Sequence, residues 1–141
     1  MDDLLILASE LVKDGNYKKN NYEEHKPDGD YNVIIESIAL KESEQTGTQW
    51  FNIVSKVLDG EYAEEKFYTS YFLTEKAMKI SLANIMKFVN ACGYEVDVNM
   101  FTDLDTLNEA LQPLVGSVCI LNKATSKKGF VSYTFSNGEG E

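Results

Sequence analysis

Trp50, Asn52 and Lys56 fall at alternate positions of one stretch, TQWFNIVSKVL, residues 48–58. An indole, an amide and an ammonium would share one face of a strand there, while Phe51, Ile53 and Val57 would share the other. The next apolar stretch, residues 64–73, repeats the motif with Lys66, Tyr68 and Phe72 opposite Phe67, Thr69 and Tyr71. A third group, Lys123, Lys127, Lys128, Phe130 and Tyr133, lies near the C-terminus. Aromatic rings beside cations suit a polyanion with open π faces. Each base stacked on such a ring contributes about 1–3 kcal/mol, and each lysine set against a phosphate releases counterions. A duplex hides its base faces, so this chemistry favours single strands. No base-reading set of side chains accompanies it, so binding is expected to be largely independent of sequence.

The inventory for catalysis is thin. There is one histidine, His25, in a polar stretch. Cys92 and Cys119 lack the spacing of a metal site and fit thiols kept reduced in cytoplasm. No Gly-rich phosphate loop and no nucleophile-elbow motif occurs. Asp103 and Asp105 open a helix, where capping explains them. The expectation is a binding module with no cofactor, no metal and no enzymatic activity.

The formal net charge is −10, which by itself argues against polyanion binding. Its distribution matters more. Residues 111–138 contain no Asp or Glu and three lysines, whereas acids crowd the first half and the last residues. With 43% hydrophobic residues, a chain of 141 residues can bury one substantial core. The apolar LLIL at residues 4–7 follows two aspartates and is too short to span a bilayer, so no leader and no membrane partner are expected.

These side chains need elements to hold them. Residues 2–13 show one apolar helical face, Leu4, Leu7, Ala8 and Leu11, and residues 14–29 form a polar arm. Alternation then predicts strands over 30–40, 48–58 and 64–73, the second pair joined by a tight Asp59-Gly60 turn. The period changes to helical over 74–93, which Thr74 opens and Cys92-Gly93 stops. A shorter helix over 102–116 takes Thr102 as N-cap and Asp105 as its partner. Strands over 117–124 and 130–135 close a domain spanning 30–136, and 137–141 is a short acidic tail. Three strands, a helical insertion and two strands is the order of an OB-fold, a five-stranded, partly open Greek-key barrel. A flat α+β sheet shares that order.

The run PDGDYNVIIESIALKESEQTGTQWFNIVSKVLDGEY, residues 27–62, followed by IMKFVNACG and Leu114-Val115-Gly116, resembles a phage-encoded family of small single-stranded DNA-binding proteins. The likeness covers roughly residues 26–136 and rests on the succession of pieces. It implies an OB-fold that coats single-stranded DNA, or RNA, during phage replication or recombination in the host cytoplasm. It leaves phage or host replication and recombination proteins, and further copies of the chain, open as partners, and the sequence does not decide the oligomeric state. This chain departs from the family in EYAEEKFY, where relatives are more basic, and in its GEGE end. A rival reading takes the net charge at face value: an acidic phage protein that imitates nucleic acid and occupies a host protein's basic groove. A structural component of a virion is a third reading.

Overall fold

In the first strand, the buried apolar residues sit at odd positions up to Ile35 and at an even position at Ile38. That change of parity marks the central feature of the fold. The computed structural model describes residues 26–137. The helix expected over 2–13, His25 and the residues after 137 lie outside that range. Strand β1, Gly29–Glu42, pairs antiparallel with β2, Gln49–Val57, and its register shifts between Ile35 and Ser37. Glu36 is the extra residue of this bulge, and the bulge switches the strand's inward positions. Val33 and Ile35 point to the core before it, Ile38 after it, and all three are buried. Without the slip, Ser37 would face inward and Ile38 outward.

Strand β3, Lys66–Phe72, pairs with the other edge of β2. Strand β4, Val118–Thr125, pairs with the first half of β1, and β5, Val131–Ser136, pairs with β4. The sheet is antiparallel with order β3-β2-β1-β4-β5. The bulge also receives the entry to β4. Gly116 N donates to Ile35 O at 2.8 Å, Ile35 N donates to Ser117 O at 2.9 Å, and Gly116 takes φ 95°, which a side chain would strain.

A five-stranded barrel is the expectation from the sequence, and it needs correction. Among the described residues no ladder joins β3 to β5, so the sheet is open. It is curled enough to bring these edges together, since the Phe67 and Tyr133 rings lie 5.3 Å apart. Helix α1, Met78–Ala91, buries Ile85, Phe88 and Val89, and the Phe88 ring meets Phe135 of β5 at 5.0 Å. Helix α2, Leu104–Leu111, adds Leu107 and Leu111. The fully buried Phe51, Phe67, Phe88, Ile53 and Leu121 form the centre of the core.

Three local expectations change. The helix opens at Met78 and not at Thr74; residues 75–77 form a turn in which Thr74 Oγ1 accepts from Ala77 N at 3.3 Å. Asp103, not Thr102, caps α2, accepting from Thr106 N at 2.8 Å. The β2–β3 connection is wider than a two-residue turn. Glu64 takes φ 77° there, and Val57 exchanges backbone bonds with Glu64 and Glu65, each 2.8 Å. The Asp103 cap has a pH signature. Its hydrogen bond from the Thr106 backbone holds the carboxyl below its ordinary value. A carboxyl depressed by folding stabilises above its unfolded pKa, about 3.9, and the gain fades as pH falls through the lower folded value. Asp103→Ala should therefore lower the thermal midpoint at pH 7, and the difference from wild type should shrink in melts at progressively lower pH.

Candidate nucleic-acid interface

The outer face of β1–β2–β3 is set by register. Lys41, Trp50 and Phe72 form one row across the three strands; Ala39, Asn52 and Ser70 form the next; Ser37, Val54 and Tyr68 the third. The opposite face of β2 and β3 is the core, with Phe51, Ile53, Val57, Phe67, Thr69 and Tyr71 buried. The expected parity of both strands therefore holds. Trp50 is half-buried, its indole 5.8 Å from the Phe72 ring and tilted 39° to it. Phe72 is 46% and Tyr68 49% exposed, large values for aromatic side chains on a strand. Lys41, exposed and directly across from Trp50, is the cation nearest to the indole along the ladder. Sequence reasoning passed over it because the bulge, not simple alternation, brings it to this face.

Lys56 and Lys66 also reach the outer face, directly opposite each other. Two ammonium groups at that spacing would repel, and Glu36 lies between them. Its carboxylate is 3.0 Å from Lys66 Nζ and 3.8 Å from Lys56 Nζ, and Glu64 adds a contact to Lys56 at 3.5 Å. The hydrogen bond to Glu36 raises the Lys66 pKa. Both cations are thus engaged by carboxylates, and a phosphate must compete for them.

The C-terminal group divides. Lys127, Lys128 and Phe130 are exposed on the β4–β5 turn, with Phe130 at 72%. That turn closes through Ser126 N to Phe130 O at 2.8 Å. Lys123 and Tyr133 are corrections. Lys123 points inward with Cys119 and Leu121, is 3% exposed, and donates its ammonium to the Lys26 carbonyl. A desolvated ammonium needs such an acceptor, and this one cannot serve an outer track. Tyr133 shares the inward parity of Phe135 and packs on Phe67. The acid-free run in sequence is also not acid-free in space. Asp28 accepts from Thr125 N at 2.9 Å and Thr125 Oγ1 at 2.8 Å, and Asp30 accepts from Asn122 Nδ2 at 2.8 Å.

Along the sheet, the β4–β5 turn sits at the Gly29 end of β1 and Trp50 at the Lys41 end. They are not neighbours through the ladder. The curl of the sheet provides a shorter route, because the start of β5 meets β3. A groove of about 350 Å³ there is lined by both edges, including Tyr68 and Val131.

With this geometry in place, residues 10–130 match the family described as a protein of unknown function, DUF669. The chain belongs to that family. The DUF669 match takes in β1 through β4 and the β4–β5 turn, so it includes the aromatic face and both turn lysines. No curated protein matches the chain.

Cys92 and Cys119 share a hydrogen bond that pushes the Cys119 thiol up and favours the Cys92 thiolate, and both are free thiols. Among the described residues no three His, Cys, Asp or Glu side chains are grouped to hold a metal. No helix among them is long and apolar enough to cross a membrane.

Proposed function

We propose that the chain binds single-stranded DNA without catalysing a reaction, largely independently of sequence, in phage replication or recombination within the host cytoplasm. One observation carries this reading: Trp50, Phe72 and Tyr68 stand partly or well exposed on one strand face, with Lys41 beside the indole. Burial of apolar surface normally drives such rings inward, so a face that keeps three of them accessible suits a partner with flat rings of its own. Asn52 lies between the aromatic rows and suits a polar contact to base or sugar. Lys127, Lys128 and Phe130 extend the track from the β5 side. The curl between β3 and β5 supports reading the open sheet as a partly open OB-type barrel.

The rival, an acidic mimic that binds a host protein, needs carboxylates free on a surface. Asp28, Asp30 and Glu36 are each engaged within the fold, whereas other acids such as Glu44, Glu75 and Glu109 are exposed, so it is the aromatic face and not the acids that favours DNA. The test is fluorescence anisotropy of a labelled oligo-dT at low and moderate salt, with a duplex of equal length as control. Saturable binding that weakens steeply with salt, and weaker binding to duplex, supports the proposal. No binding to a long strand at low salt refutes it and promotes the mimic.

Glu36 supplies a counterintuitive prediction. Glu36→Gln should tighten oligo-dT binding several-fold at low salt, because Lys56 and Lys66 lose their shared carboxylate. The log–log salt slope should steepen by roughly 0.7 for each lysine that gains a phosphate. An unchanged slope would place these two lysines outside the track.

A further inference from the structure

The solvent side of α1 carries cations that the aromatic face does not use. From Lys76 to Tyr94 the chain has no Asp or Glu, and it has three lysines, Lys76, Lys79 and Lys87, in a protein of net charge −10. All three are exposed. Lys76 lies in the turn ahead of the helix. Within the helix, Lys79 and Lys87 share an arc of about 100° with Ile80, Ala83 and Asn90, and Ile80 is 67% exposed. Ile85, Phe88 and Val89 are buried on the other side, so the core holds this stripe outward. Lys79 and Lys87 stand roughly 12 Å apart along the axis. Among the described residues no carboxylate pairs with any of the three, not even the adjacent Glu75, whereas Lys56 and Lys66 share Glu36 and Lys26 meets Glu65. The stripe also begins where the aromatic row ends. Ser81 Oγ donates to the Phe72 carbonyl and Leu73 N donates to Gln49 O, which ties the first turn of α1 to the end of the sheet that bears Trp50 and Phe72. Lys76 follows Phe72 by four residues, a reach of at most about 14 Å. The far end of α1 meets β5, where Lys87 borders a shallow groove with Phe135 and Ser136.

From this we infer that the exposed face of α1 is a second segment of the nucleic-acid track, on which Lys76, Lys79 and Lys87 hold the phosphates of a strand that has passed over Trp50 and Phe72. The inference rests on the single-strand reading above and deepens it. Two observations select a polyanion as the occupant: the ammonium groups have no carboxylate partners, and the stripe is continuous with the aromatic row. Ile80, standing among the lysines, offers an apolar contact to a sugar or base edge. The two segments differ in kind. Rings hold bases and depend little on salt, whereas lysines hold phosphates and release counterions. A short strand should therefore use the sheet alone, and a longer one should gain affinity and salt dependence from the helix.

The experiment is an anisotropy titration of two labelled oligo-dT strands, of about 5 and about 16 nucleotides, across a salt series; these lengths lie near the limits of site size for one OB-type domain. The proteins are wild type, Lys79→Gln, Lys87→Gln, Trp50→Ala and Val98→Glu. Glutamine is close to lysine in helix propensity, so both lysine variants should melt like wild type. Val98→Glu makes the same unit change of charge at a 74% exposed site in the turn before α2. Each lysine variant should weaken the long strand several-fold at low salt and flatten its log–log salt slope by roughly 0.7, with the short strand little changed. Trp50→Ala should weaken both lengths. Equal losses on short and long strands, slopes unchanged in both lysine variants, or the same slope change from Val98→Glu overturns the helix track, while the stacking face stands if Trp50→Ala still weakens binding. No binding of either strand by wild type overturns both.

Discussion

Trp50→Ala should weaken the binding of oligo-dT by about 1–3 kcal/mol, roughly five- to 150-fold, and lower the thermal midpoint only slightly. Both halves follow from position. The indole is on the outer face of β2, so the core behind it, Phe51 and Ile53, stays intact. It meets the tilted Phe72 ring at 5.8 Å, and Phe72 is itself 46% exposed, so little apolar surface is newly uncovered when the indole goes. The binding loss is larger because one mutation removes one stacking surface and leaves its neighbour without support. Trp50→Phe should recover part of the affinity, since a smaller π face stacks less well. Parallel anisotropy titrations and thermal melts of the three proteins check this. Equal affinity for wild type and Trp50→Ala would remove the indole from the interface.

Phe67→Ala should have the largest effect on stability, about 3–5 kcal/mol, equivalent to a fall of roughly 10–20 °C in the thermal midpoint. Phe67 is 0% exposed and joins four parts of the fold. Its ring is 5.0 Å from Tyr31 of β1 and 5.3 Å from Tyr133 of β5, and the Lys26 ammonium lies 5.0 Å above it. The ring thus holds β5 against β3, where no backbone ladder does so. Its removal leaves a cavity and loosens the curl of the sheet. With total stabilities of 5–15 kcal/mol typical for single domains, this is a large share. Denaturant unfolding measures it. A loss below about 1 kcal/mol would mean that the two edges are held together by something else.

The strands were readable because each has a clean period of two. Phe51, Ile53 and Val57, and then Phe67, Thr69 and Tyr71, alternate without interruption, and the structure buries all of them. The outer row of Trp50, Tyr68 and Phe72 was legible for the same reason. Lys123 and Tyr133 were misplaced because lysine and tyrosine are amphipathic. Either can face inward when its polar end finds a partner, and alternation in β4 does put Lys123 in phase with Cys119 and Leu121. A polar type at an inward phase was the available signal. The β1 bulge was not legible, because Ile34 and Ala39 blur the apolar parity that burial of Val33, Ile35 and Ile38 reveals. Nor were its consequences, because the pairing of Glu36 with Lys56 and Lys66, and of Lys41 with Trp50, depends on register between strands. The openness between β3 and β5, and the pocket that results, depend on how far the sheet curls. No local pattern encodes that curl.

Trp50 is the only tryptophan in the chain, so its emission reports from the proposed face without a label. The decisive measurement is its fluorescence during titration with unlabelled oligo-dT at low salt, followed by back-titration with salt. Stacking on the indole predicts saturable quenching with single strand, little change with duplex, and recovery of emission as salt releases the strand. Oligo-dT binding seen by an independent probe with Trp50 emission unmoved would contradict the account at its centre.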